Sequence, residues 1–281
     1  DKDALLRSGI MLPKTIRHLK GEDLKDAIPD KLYIPLTDIR MLTKVDLLML
    51  EMLANCNWER PLYLAISVGS VSKLKFDNYF VQEGLAFRFT PFDYKKWGDV
   101  GENRLYAVDV ERLYDNVMNR YKYGGLDTPG LYLDETTLRT CWYHRRLFAQ
   151  LAKELIAQGD NERAKKVLAY AEQVIPGYNV PETHESGSYD IATAYAALGE
   201  KTKAVTLAVH LIAEAEDYIN WAFSLKGNRI EMVRNDCIYK FWQWNQYNEL
   251  LKKIDGEKYK ESNRRFEEKY ALFAPTMNYK N

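Results

Sequence analysis

The sequence predicts a small α+β unit followed by an all-α region of helical repeats, and three observations carry that prediction. Short apolar runs alternating with polar residues occur in the first half, as at Leu85, Phe87 and Phe89, and a period of two is the spacing of one face of a strand. Beyond the glycine- and proline-rich stretch from Gly124 to Gly130 the strand signals cease, and Ala, Leu, Lys and Glu dominate. Within this second part, the apolar and small residues around Gly159 return around Gly199. The boundary is placed near Glu135, giving an α+β domain over residues 1–134, with an irregular N-terminal segment, and a helical domain over residues 135–281.

Taken in order, residues 1–40 are punctuated by Pro13, Pro29 and Pro35 and by the turn-like Gly21-Glu22-Asp23, which suits irregular chain laid over a surface. Thr43 then opens a helix. Its hydroxyl caps free N–H groups, and Asp46 adds negative charge near the positive helix end. Val45, Leu48, Met49, Met52 and Leu53 recur at helical spacing, with the end near Asn55. Leu62 to Ile66, between Pro61 and Gly69-Ser70, reads as a buried strand. Leu85 to Phe89, ended by Pro91, reads as a second, and Tyr106, Val108 and Val110 mark a third. A helix from about Glu111 to Tyr121 follows, so the unit has three strands and two helices.

In the second half, Leu138, Trp142, Phe148, Leu151, Leu155 and Ile156 share one helix face. Gly159-Asp160-Asn161 turns the chain, and a second amphipathic helix carries Ala164, Val167, Leu168, Ala171 and Val174 before Pro176. The large Phe148 and Leu151, the small Ala152, Ala164 and Ala171 and the closing Pro176 resemble a tetratricopeptide repeat (TPR), whose helices cross closely enough to need small side chains. Forty residues on, Ile191, Ala192, Tyr195, Gly199 and Ala204 match Leu151, Ala152, Leu155, Gly159 and Ala164. The surplus over the usual period of about 34 residues fits the loop from Gly177 to Gly187. The second copy departs at Leu211, which replaces a small residue, and at Glu216, where the proline would stand. Helices from about Arg229 to Ile254 and from about Glu257 to Leu272 do not match the repeat but suit the capping of its last apolar face.

Composition narrows the function classes. The chain has 281 residues, 46% of them hydrophobic, enough for a sizeable core. Its 40 basic and 40 acidic residues cancel, which argues against nucleic acid, since phosphate neutralisation needs a basic excess. No apolar run approaches the roughly 18 residues of a membrane span. Cys56, Cys141 and Cys237 are odd in number and far apart; this argues against a disulfide framework or zinc knuckle and for small buried hydrophobes. The start at Asp1-Lys2-Asp3 reads as a piece of something longer.

No catalytic motif stands out. The four histidines, His18, His144, His184 and His210, lack metal-ligand spacing, and no phosphate-cradling glycine loop or nucleophile elbow occurs. Cys141 and His144 share a helix, but Trp142 and Tyr143 beside them suggest packing. The densest cluster runs from Tyr114 to Asp134 and gathers Asp115, Asn116, Tyr121, Lys122, Tyr123, Asp127, Tyr132 and Asp134 around Gly124-Gly125. Loops of mixed aromatic and polar residues often bind ligands. The plainer reading is that the glycines permit a turn and Asp134 caps the next helix. Trp58 and Arg60, in Asn57-Trp58-Glu59-Arg60-Pro61, form a second cluster, for which packing is again the plainer reading.

Taken together these segments carry a family resemblance. The ordered set is Asp46-Leu47-Leu48, Asn57-Trp58-Glu59-Arg60-Pro61-Leu62-Tyr63, Tyr79-Phe80, Glu83-Gly84-Leu85-Ala86-Phe87-Arg88, Asp115-Asn116-Val117-Met118, Gly124-Gly125-Leu126-Asp127 and Tyr132-Leu133-Asp134-Glu135. It resembles the C-terminal soluble region of bacterial multi-pass membrane proteins of a family of unknown function, whose N-terminal part is similar to protein O-mannosyltransferases. The resemblance covers about residues 40–215. It implies an extracytoplasmic tail, on the periplasmic side of the inner membrane, with any glycosyl transfer in the membrane part and no catalytic residue, metal or cofactor here.

Three functions follow as expectations. The first is an interaction module whose stacked helices hold an acceptor polypeptide, with the α+β unit attached to the membrane-embedded part of the same protein. The second is a glycan-binding domain using the Tyr-rich loop and an exposed Trp. The third is a hydrolase, for which Asp115, Asp127 and Asp134 are the only paired-carboxylate candidates.

Overall fold

The computed structural model describes residues 26–32, 34, 39–55, 60–68, 77–94, 106–225 and 229–277. Its contacts divide the chain into two units, Asp1–Lys122 and Tyr123–Asn281. Cys56 and Trp58, and nearly all of the N-terminal segment read as irregular, lie outside the described residues.

The first unit contains helix α1 (Lys44–Asn55) and strands β1 (Tyr63–Ala65), β2 (Phe80–Gln82), β3 (Ala86–Phe89) and β4 (Ala107–Val108), followed by helix α2 (Val110–Asp115). The sheet order is β1-β3-β2-β4. β3 is antiparallel to both neighbours, with Leu64 opposite Phe87 and Val81 opposite Arg88, while β4 joins β2 in parallel. Among the described residues there are thus four strands where alternation gives three. β2 escapes the pattern because all three of its residues are buried, so no polar residue marks a second face.

α1 starts as its sequence dictates. Thr43 N–H and Oγ1 donate to Asp46 Oδ2 at 2.8 and 2.7 Å, and Asp46 N–H donates back to Thr43 Oγ1 at 3.2 Å. Its inward face corrects the periodicity reading in part. Met49, Leu50 and Leu53 pack on the buried pair Phe80 and Phe89, but Val45, Leu48 and Met52 are exposed together with Met41. Two apolar stripes overlap on this helix, and only the sheet decides which is covered.

The regular elements of the second unit, among its described residues, are all helices: α3 (Glu135–Ala157), α4 (Asn161–Val174), α5 (Ser188–Ala197), α6 (Lys201–Ser224), α7 (Arg229–Met232), α8 (Arg234–Ile254) and α9 (Gly256–Met277). The helix expected over residues 229–254 is therefore two, a short α7 and a long α8. Packing runs in sequence: α3 on α4 and α5, α5 on α6, α6 on α8, and α8 on α9. Residues 123–134, assigned by sequence to the first domain, here fall in the helical unit. Tyr123 packs against His144, Phe148 and Tyr170.

The two helix hairpins α3–α4 and α5–α6 repeat in backbone detail. Gly159 N–H bonds Ile156 O at 3.0 Å and Asp160 N–H bonds Leu155 O at 2.8 Å. Forty residues on, Gly199 N–H bonds Ala196 O at 3.1 Å and Glu200 N–H bonds Tyr195 O at 2.9 Å. Both glycines sit at φ +78°, where only glycine is unstrained. Buried residues keep the same offset: Leu151 and Ile191, Ala152 and Ala192, Ala164 and Ala204, Val167 and Leu207.

Candidate functional site

A hollow of about 420 Å³ in the second unit is lined by α4, α5 and α6. Leu168, Ala171, Ile191 and Leu207 give it apolar walls, as helix-hairpin packing requires, and polar groups gather among them. Lys203 Nζ donates to both carboxylate oxygens of Glu172, at 3.0 and 2.8 Å, and stands 5.0 Å over the Tyr195 ring. Tyr195 donates its hydroxyl to the same carboxylate. Burial, together with that bond, pushes the Tyr195 hydroxyl far above its ordinary value, so it remains a donor at neutral pH. Lys203 and Glu172 are half exposed and can exchange partners with an incoming chain.

Arg145 on α3 also lines the hollow and is only 3% exposed. Its guanidinium donates to Ile175 O (3.0 Å), Val180 O (2.6 Å), Pro181 O (2.8 Å) and Ser186 Oγ (3.1 Å). Burial pulls its pKa down to about 10, which leaves it charged at neutral pH. Those oxygens replace the lost hydration of a buried cation. The result is a fixed loop between the two hairpins. Asn179 extends the fastening by donating to Leu126 O and Thr128 O at 2.8 and 2.6 Å, and Tyr178 by donating to Asp127 O at 2.6 Å.

The residues singled out by sequence have separate roles. In the first unit, Asn116 Nδ2 donates to Glu83 O at 2.7 Å, and Tyr121 Oη accepts from Leu85 N–H at 3.0 Å. Both hold the Gly84 turn between β2 and β3. Glu83 itself is buried against Arg88 and Arg112 at 2.7 and 3.0 Å. Asp115 pairs with Arg120 at 2.7 Å, while Lys122 and Arg60 are exposed. In the second unit, Tyr123 is half buried, Asp127 is exposed and Tyr132 is 88% exposed. Asp134 caps α3 by accepting from Thr136 and Thr137 N–H. The Thr137 hydroxyl and the backbone donors hold its carboxyl below the usual range, the opposite of what a general acid needs. Cys141 and His144 are shifted the wrong way for a thiolate–imidazolium pair, the thiol up and the imidazole down, both through burial.

Lys203, Glu172 and Arg145 were not legible as a group. Tyr195 drew attention only as a match to Leu155 in the repeat. These residues meet because α4 and α6 come together across a loop, and no short motif encodes that.

A family model described as TMEM260-associated domain 2 matches residues 9–111. The N-terminal part is thus similar to a domain associated with a membrane-protein family. The matched span holds the four described strands and ends at the start of α2. Neither the curated proteins nor the solved structures contain a match to the chain. Among the described residues, no helix is long and apolar enough to cross a membrane.

Proposed function

We propose that this chain is a non-catalytic, extracytoplasmic part of a membrane protein, in which TPR-like hairpins hold an extended polypeptide. The observation that carries the reading is the hollow between consecutive hairpins, with apolar walls and the half-exposed Lys203–Glu172 pair in its lining. Such a surface offers side-chain pockets together with a donor and an acceptor for a peptide backbone. The forty-residue repetition of turn bonds and buried positions supports the TPR-like description. The match to a membrane-protein-associated domain supports the setting. In this reading any glycosyl transfer, of the protein O-mannosyltransferase kind, lies in a membrane-embedded part, and the polypeptide is its acceptor.

The α+β unit would join the two. Val45, Leu48 and Met52 are exposed at helical spacing along α1, with Met41 exposed just before it, and a solvent-facing apolar stripe marks a docking face. The double substitution Leu48→Asp and Met52→Asp is expected to change the stability of the isolated chain by no more than about 0.5 kcal/mol, because both side chains are exposed. A larger loss in urea unfolding would show that the stripe is covered within this unit.

The groove is tested with a peptide array followed by calorimetry on the whole chain. Lys203→Ala, and Glu172→Gln, which keeps an acceptor for the buried Tyr195 hydroxyl, should each weaken the best peptide about tenfold, a loss of roughly 1.4 kcal/mol, with unfolding midpoints unchanged. An array without binders, or binders indifferent to both substitutions, would sink the proposal.

A further inference from the structure

Away from the hollow, α8 presents an exposed pair of stacked aromatic rings. Tyr239 and Trp242 lie 11° from parallel with ring centroids 5.6 Å apart. They are 44% and 49% exposed, a large solvent share for two such rings. His184, from the loop that Arg145 fixes, meets both at steep angles, with centroids 6.1 and 5.5 Å away. Its Nδ1 is 2.8 Å from Tyr247 Oη, and its ring stacks on Tyr189. The imidazole is thus held in one orientation, with one nitrogen engaged.

Polar planar groups border the surface. Glu185 follows His184 in the loop, and its Oε1 accepts from Gln243 Nε2 at 3.0 Å. Burial pushes the Glu185 carboxyl up, but its own backbone N–H, Lys240 and Gln243 outweigh that and keep it ionised. Gln243 is fully buried, and its Oε1 has no partner among the described residues, which is rare for a buried acceptor. On the other flank of Trp242 a space of about 260 Å³ is lined by Asn245 and otherwise by apolar and aromatic side chains, Ile238, Phe266 and Tyr270 among them. Phe266 and Tyr270 are themselves stacked, 7° from parallel.

We propose that the Tyr239–Trp242 face of α8, with His184 and Glu185 at its rim, binds the pyranose rings of a neutral glycan. A pyranose has a C–H face that lies against electron-rich aromatic rings, and a rim of hydroxyls that needs donors and acceptors in the ring plane. Exposed parallel aromatics beside a carboxylate and a fixed imidazole supply both. A lipid surface or a partner helix would favour an aliphatic border. Here Ile238 is exposed beside the rings, but Lys240, paired with Glu214 at 3.2 Å, and Asp190 make the border charged. The flanking space makes the site longer than one ring, which suits linked sugars over a free monosaccharide.

The site is independent of the polypeptide groove, and the test keeps them apart. The whole chain is titrated with gluco-, galacto- and manno-oligosaccharides, read by tryptophan fluorescence and calorimetry. One series should bind. Trp242→Ala should weaken it about tenfold or more, as removal of an aromatic anchor does, and Trp242→Phe should lose less. Trp221→Ala removes an indole on α6 that is equally exposed, at 49%, and should change nothing, as should Lys203→Ala. Thermal unfolding of every variant establishes that the fold is kept. The proposal is overturned if no series binds, if binding survives Trp242→Ala, or if Trp242 instead governs binding to phosphatidylcholine–phosphatidylglycerol vesicles or to the groove peptides.

Discussion

Replacing Arg145 with methionine should destabilise the helical unit by about 3–5 kcal/mol, the size of loss seen when one member of a buried polar network is removed. Methionine fills similar space and is apolar, so the change isolates the hydrogen bonds from the packing. The Ser186 hydroxyl keeps Thr183 N–H as a donor, but three carbonyl oxygens lose theirs together. Each would need water inside a site where Arg145 itself is 3% exposed. In a unit of this size the loss lowers the melting temperature by roughly 10–15 °C. Arg145→Lys should recover only part of it: an ammonium donates from a single point, whereas the guanidinium reaches acceptors on both of its terminal nitrogens. Hydrogen exchange locates the effect. Protection should fall first at residues 175–187 and the start of α5. A loss below about 1 kcal/mol in Arg145→Met, as for an ordinary surface substitution, would show that the loop is held by its other fastenings, Asn179 and Tyr178.

The elements came readily from the sequence where their signals are local. Thr43 with Asp46, Asp134, Asp160 and the glycine pair at 159 and 199 mark helix ends that appear within a residue or two of their expected places. What failed depends on partners distant in the chain. β2 is three buried residues between neighbours and does not alternate enough to read, while β4, marked by Tyr106, Val108 and Val110, forms with only Ala107 and Val108 in parallel register. α1 has two apolar stripes, and only Phe80 and Phe89 choose between them. The cluster from Tyr114 to Asp134 admits both a ligand loop and a set of turns and caps, because these use the same residue types. Asn116 and Tyr121 direct their polar atoms to the chain itself. Arg145 drew no attention because one arginine on an amphipathic helix is ordinary until the loop folds over it.

Gly84→Ala should be the most damaging small substitution in the first unit, at about 3–5 kcal/mol, for two reasons that can be separated. Gly84 has φ +154°, a region that residues with a Cβ occupy only under strain. A Cβ there would also lie 2.1 Å from Tyr121 Oη and 3.1 Å from Cζ. The ring must move, and Leu85 N–H loses the acceptor it has at 3.0 Å. Tyr121→Phe alone removes that acceptor without a clash and should cost about 1–2 kcal/mol. In the double variant the closest contact is gone and the hydrogen bond is already lost, so the two costs should not add. The sum should overshoot the measured loss by about 1 kcal/mol or more. Full additivity would mean that backbone strain alone sets the cost and that Tyr121 does not clamp the turn. Should Gly84→Ala prove nearly neutral in urea unfolding, both reasons fail. The turn would then rest on the buried Glu83 with Arg88 and Arg112 instead.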